Sequence, residues 1–216
     1  MDFIGAFSID NVRFILEGFY LTLKVAFISI VLSFIVGCVL GTIRYTKLPV
    51  LSQIFAVVVE LVRNLPLLFV IIFTYLAMPQ FGLKLSPASA TIIALTIFEG
   101  AMIAEIVRSG LKSIDKGQIE AARASGLSYT QTLRFIIMPQ GIRRMVPPLV
   151  SQFISLLKDT SLAVAIALPE LMNHAKIVMA HNDEHIFPVL FMVAVLYFTV
   201  NYALSIFARR LEAKVV

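Results

Sequence analysis

The 216 residues leave room for one ordinary domain or one compact membrane bundle. Hydrophobic residues make up 59% and charged residues only 14%, against about 45–50% and about 25% in soluble domains, so an ordinary soluble fold is excluded. The single cysteine, Cys38, lies inside an apolar run and excludes an internal disulfide, and the net charge of +5 takes its meaning from where the basic residues fall.

The start, Met1-Asp2, lacks the basic opening and small-residue cleavage site of a signal peptide, so the first apolar stretch is expected to be retained. Residues 1–17 are expected to be an extracytoplasmic segment, followed by a transmembrane domain over 18–210 and a cytoplasmic tail over 211–216. The fold class expected is an all-α membrane protein of five transmembrane helices. The first span, about 19–40, carries one charge, Lys24, expected to snorkel outward. Its Gly37 and Gly41 form a small-residue pair suited to close helix packing. The second, about 48–78, is interrupted by Glu60 and by Arg63-Asn64-Leu65-Pro66. The third, about 87–107, contains Glu99 and Glu105. The fourth, about 145–168, is expected to be broken at Lys158-Asp159-Thr160-Ser161, and the fifth, about 186–208, is free of charge. A helix needs roughly 20 apolar residues to cross the hydrocarbon, so spans one and five need no further argument.

Basic residues set the orientation. Arg44 and Lys47 stand between spans one and two. Arg108, Lys112, Lys116, Arg123, Arg134, Arg143 and Arg144 stand between three and four, and Arg209, Arg210 and Lys214 follow span five. The alternate loops hold only Arg13, Lys84 and Lys176, which predicts an outside N-terminus and an inside C-terminus. The positive charge is thus an inner-loop signature rather than a nucleic-acid footprint.

The inner loop over 109–144 has its own helical grammar. Residues 117–125 read as a short Ala-rich helix capped by Gly126. Ser128 with Gln131 makes a capping-box pattern opening a second short helix, which Pro139 is expected to end. His181 and His185 are four apart, a spacing that can place two metal ligands on one helix face. All three histidines nevertheless fall in the loop after span four, where solvated polar residues are expected, and no metal site is assigned.

Glu120-Ala121-Ala122, three residues, Gly126, nine residues, then Ile136-Ile137-Met138-Pro139 resembles the EAA loop of permease subunits of ATP-driven (ABC) importers. Met138 stands where the family usually has Leu. The stretches Glu60 to Leu68, Ala104 to Arg108, and Lys158 to Leu162 resemble the polar amino-acid branch, glutamine and glutamate permeases above all. Ser151 stands where that branch usually has Asn. The resemblance implies that Glu120, Ala121, Ala122, Gly126, Ile136 and Pro139 couple the membrane bundle to a separate ATPase dimer that binds ATP and magnesium. It also implies a second permease chain, identical or different, an extracytoplasmic solute-binding protein, and a multi-pass place in the bacterial cytoplasmic membrane. The chain has no Gly-x4-Gly-Lys-[Ser/Thr] loop of its own and no nucleophile-base set, so no cofactor and no catalysis are expected here.

Ionisable residues at membrane depth are costly and face a bundle interior or a water-filled path. Glu60, Glu99, Lys158 and Asp159 all reach a layer near the middle of the bundle by residue count. Glu60 and Asp159 suit the ammonium of a zwitterionic amino acid; Arg63, Lys158, Thr160 and Ser161 suit its carboxylate, with Asn64 beside them. The competing reading is structural ion pairing, Glu60 with Arg63 and Glu105 with Arg108. Rival functions are a permease for another small solute and a gradient-driven carrier or channel. The second of these leaves the structured loop from Glu120 to Pro139 unexplained.

Overall fold

The computed structural model describes residues 1–215, with side chains through 210, and every element among them is helical. Helix α1 (Phe3–Ala6) is capped by Asp2, whose carboxylate accepts the Gly5 amide at 2.8 Å. The Gly5 amide, and after it His185 at 3.3 Å, hold the Asp2 carboxyl below its ordinary range. The N-terminal segment is therefore tied to Glu184 and His185, ahead of the last helix, rather than trailing.

Helix α2 (Ile9–Thr46) begins where Ser8 accepts the Asn11 amide and ends at Lys47, a left-handed residue with φ 51°. Its 38 residues extend about 57 Å, nearly twice the ~30 Å of hydrocarbon, so the expected 19–40 is only its central part. Span two is two helices. Helix α3 (Leu51–Arg63) and α4 (Leu67–Leu76) meet at 101°. Asn64 donates to the Glu60 carbonyl, and Pro66, which offers no amide, starts α4 in a new direction. The expected single crossing over 48–78 is thus a sharply bent pair.

Helix α5 (Pro87–Lys112) is opened by Ser86, which accepts the Ser89 amide, with Pro87 at the first helical position, where its missing donor is harmless. Helix α6 (Lys116–Ala124) is capped by Asp115 and closed by Gly126 at φ 86°, with Leu127 donating to Ala122 and Gly126 to Arg123. That is a Schellman closure, which a Cβ resists. The Ser128–Gln131 capping box opens α7 (Tyr129–Thr132) as expected.

Pro139 does not end this helix. A π-turn over Leu133–Ile137 carries α7 directly into α8 (Met138–Asp159), in which Pro139 is the second residue. The widened turn accommodates the Phe135 carbonyl, which a proline four residues on would otherwise strike. Nor is span four broken at 158–161. The helix tightens into a 3-10 segment over Thr160–Ile166, with the Thr160 and Ser161 hydroxyls donating back to the Leu157 and Lys158 carbonyls. The result is one continuous helical rod over Tyr129–Ile166, stopped by Ala167 at φ 55°.

Helix α9 (Leu171–His181) and α10 (Ile186–Val215) complete the bundle, and Val216, the last of the expected tail, lies outside the described residues. Asn182 is extended, so His181 and His185 do not share a helix face. His174 is not a solvated loop residue: its ring stacks on Phe14 at 3.8 Å, and its Nδ1 lies 2.6 Å from the Phe14 carbonyl.

The core is built along α2. Gly18, Thr22, Ser29, Ser33, Gly37 and Gly41 form a small-residue ridge, and its second half faces Gly100, Ile103, Ala104 and Val107 of α5. A ridge without bulk lets the two backbones approach, so Gly37 and Gly41 serve packing within the chain. A Cβ on Gly37 would press on Ile103 and stand 3.0 Å from the Gly100 carbonyl. Gly37→Leu should therefore destabilise the bundle by about 1–3 kcal/mol through overpacking. Thermal unfolding of the purified protein in detergent measures this, and an unchanged midpoint would refute the seam.

Candidate functional site

The polar residues expected as one layer occupy two places. At the basic end of the bundle, the end bearing α6, Glu105 on α5 gathers three arginines. Arg44 of α2 donates to its Oε2 at 2.9 Å, Arg108 from the next turn makes a two-point pair with both oxygens, and Arg63 at the end of α3 stands 3.7 Å away. Arg44 is the most deeply placed, with only 8% of its side chain exposed, and its Nε has no partner. Arg63 also faces Glu60 at 3.8 Å, and Asn64 donates to a Glu60 carboxylate oxygen at 3.2 Å. Glu60, Arg63 and Asn64 are thus engaged with each other and with Glu105.

Glu99, Lys158 and Asp159 form the second place. Glu99 of α5 is fully buried; one oxygen accepts Gln152 Nε2 of α8 at 2.6 Å and the other has no partner. Asp159 is half-buried, one turn from Ser155 at 3.5 Å. Lys158 is exposed on the α8 face beyond it, Thr160 is buried and Ser161 half-buried. A lysine exposed within an apolar span is costly against lipid, so this face calls for water or another protein surface.

The helix pair at the basic end presents Glu120, Ala121, Arg123, Ala124 and Gly126 outward, while Ala122 is buried and Ile136 half-buried. Gln140 of α8 donates to Gln118 of α6 at 2.7 Å and Arg144 of α8 donates to the Ser113 carbonyl at the end of α5, so α6 is fastened to α8 and α8 to α5. Pro139 is exposed at the start of α8, near exposed Phe135 and Tyr129. A capped, rigid helix with small outward side chains beside exposed aromatics is a surface suited to a partner protein.

Two functional features escape sequence reasoning. Arg44 counts there only as a loop cation, because its partner lies 61 positions away. Glu170, fully buried, caps α9 by accepting the Met172 and Asn173 amides, with Thr22 and Tyr197 hydroxyls at 3.4 and 3.5 Å. Its position just ahead of an apolar run is the one signal that points to a helix cap.

Comparison with known proteins follows the same lines. A family described as the inner membrane component of binding-protein-dependent transport systems matches residues 29–216. A Bacillus subtilis (strain 168) protein named "Probable glutamine ABC transporter permease protein GlnP" is 63% identical over 216 residues, covering 99% of each chain. The glutamate transport system permease protein GluD of Corynebacterium glutamicum is 36% identical, covering 92% of this chain and 74% of its own. Among solved structures, a crystal structure of an amino acid ABC transporter with histidines superposes with a TM-score of 0.91 at 26% identity over 99% of both chains.

Glu105→Gln leaves Arg44 buried without a counter-charge, a loss of about 3–5 kcal/mol for a broken buried pair. The variant should unfold at lower temperature in detergent than the parent. An unchanged midpoint would show that the arginines do not depend on this carboxylate.

Proposed function

The chain belongs to the family of inner membrane components of binding-protein-dependent transport systems, and from that membership we propose the way it works as an amino-acid importer permease, with glutamine as its cargo. The similarity to a glutamine permease over the whole chain supports the cargo, and the glutamate permease supports the wider polar amino-acid class. ATP and magnesium belong to a separate ATPase dimer. A second permease chain supplies the other wall of the path, and an extracytoplasmic binding protein delivers cargo. The assembly sits in the bacterial cytoplasmic membrane with the N-terminus outside and the C-terminus inside.

The observation that carries this reading is the unbroken rod over Tyr129–Ile166. One end joins the outward-facing α6, and the other holds Lys158, Asp159, Thr160 and Ser161. The helix runs on through Pro147 and Pro148 without a break, so a push on α6 by a motor domain is carried along it to the polar row. At that row, Asp159 and buried Glu99 suit the cargo ammonium, while the exposed Lys158 suits its carboxylate. A gradient-driven carrier has no use for the fastened helix pair at 116–139.

Reconstituted with an ATPase and a binding protein, the complex should hydrolyse ATP faster when glutamine-loaded binding protein is present. Asp159→Asn removes one charge of a desolvated recognition pair, about 2–5 kcal/mol, so uptake per assembled complex should fall at least tenfold. Gly126→Val opposes φ 86° at about 1–2 kcal/mol and tilts α6, so stimulated hydrolysis should fall while the permease still inserts. Normal uptake per complex in Asp159→Asn removes that residue from the path.

Topology has its own measurement. Reporter fusions after Lys47, Ser113 and the C-terminus should read cytoplasmic, and those after Lys84 and Asn182 external. An external reporter at the C-terminus contradicts the orientation.

A further inference from the structure

Arg63 occupies a position that simple ion pairing does not explain. It is the last residue of α3, at the corner where the chain turns by 101° into α4. Its Nη1 lies 3.7 Å from Glu105 Oε2 on α5 and 3.8 Å from Glu60 Oε2 on its own helix. Both distances are ion-pair contacts, too long for a hydrogen bond, and neither is preferred. The Arg63 Nε is buried and has no partner.

Each acceptor is already prepared in its own way. Glu105 Oε2 accepts Arg44 Nη1 at 2.9 Å and Arg108 Nε at 3.1 Å, so it holds Arg63 as a third and loosest claimant. Glu60 has one oxygen held by the Asn64 amide at 3.2 Å, leaving the other turned to Arg63. Glu60 is mostly exposed and lines an open groove of about 450 Å³ with Arg44, Asn64, Ala56, Val57 and Leu61. Three guanidiniums therefore share two carboxylates, one on each side of the α3–α5 contact.

We infer that Arg63 is a transferable bridge: it completes Glu105 when the α3–α4 corner rests on α5 and passes to Glu60 when the corner moves away. Arg63 keeps 32% of its side chain exposed but its Nε buried, so leaving one carboxylate without meeting another costs it a counter-charge that solvent replaces only in part. A second acceptor one turn back on the same helix removes that cost, so the corner can move without stranding a charge. Standing between both carboxylates, the guanidinium has two alternative pairings to close on, one for each position of the corner. This role makes Glu60 and Arg63 gating residues rather than cargo ligands, and it rests on the permease reading given above.

The test uses the complete reconstituted complex. With Cys38 replaced by Ala, spin labels at Gln53→Cys on α3 and Ser109→Cys on α5, both exposed, report the separation of the corner from α5. The parent should give different distance distributions in the nucleotide-free and ATP-bound states. Glu60→Gln should retain the nucleotide-free distribution in both states. It should also lower maximal cargo-driven turnover at least tenfold, with the half-saturating cargo concentration unchanged and assembly normal. Glu60→Asp, which keeps the charge, should recover most of the turnover. A Glu60→Gln complex that switches distances as the parent does overturns the bridge. So does one with normal maximal turnover but a raised half-saturating concentration, which would mark Glu60 as a cargo ligand instead. A parent complex with no cargo-driven turnover overturns the permease reading and the bridge with it.

Discussion

The architecture at the basic end depends on one carboxylate. Glu105 compensates a nearly buried Arg44, its neighbour Arg108 and the corner residue Arg63, and so joins α2, α3 and α5 at one point. Burying guanidiniums is tolerable only where a counter-charge and hydrogen bonds meet them. The long α2–α5 seam brings Arg44 and Glu105 to the same level by letting the backbones approach across Gly37, Gly41 and Gly100. The small-residue ridge and the ion cluster are therefore successive parts of one contact, apolar along its length and charged where it ends.

A second continuity links the ends of the molecule. The π-turn at Leu133–Ile137 and the 3-10 segment at Thr160–Ile166 let one helix pass through a proline and a polar run without a break. Both adjust the helix pitch where an unmodified α-helix would meet a steric clash or leave polar groups unsatisfied. The same chain segment thereby joins the outward-facing α6 at one end to the polar row at the other. Span two takes the opposite course, using Asn64 and Pro66 to break the helix and create a corner. One continuous helix and one bent pair, with Glu105 holding Arg63 at the bend, thus set the two contrasting courses the chain takes through the bundle.

At the other end, Glu170 and His174 perform a quieter version of the same task. Glu170 fills the start of α9 with four donors, and His174 stacks flat on Phe14, closing α9 against α2. Gly18 leaves room for both, since a Cβ there would stand 2.9 Å from the Glu170 carbonyl and the His174 ring.

The sequence by itself determined the class of molecule, the apolar segments, the Ser128–Gln131 box, the Gly126 turn and the family resemblance. All of these depend on composition or on residues within a few positions of each other, where propensity and spacing act directly. It misjudged Pro139 and the Lys158–Ser161 run, because proline and hydroxyl groups read as breaks unless a π-turn or a back-bond to the preceding turn absorbs them. It also placed Glu60 in one layer with Glu99, Lys158 and Asp159, since a count of helical rise gives a level along each helix and not which helix faces meet, and Glu60 instead faces Arg63 beside Glu105. Only the tertiary structure decided that Glu105 holds Arg44 and Arg63 besides its neighbour Arg108, that Gln152 meets Glu99, and that Thr22 reaches Glu170 across 148 positions. Those pairings are set by which helix faces pack together, and packing is a property of the whole bundle that no local stretch of sequence carries.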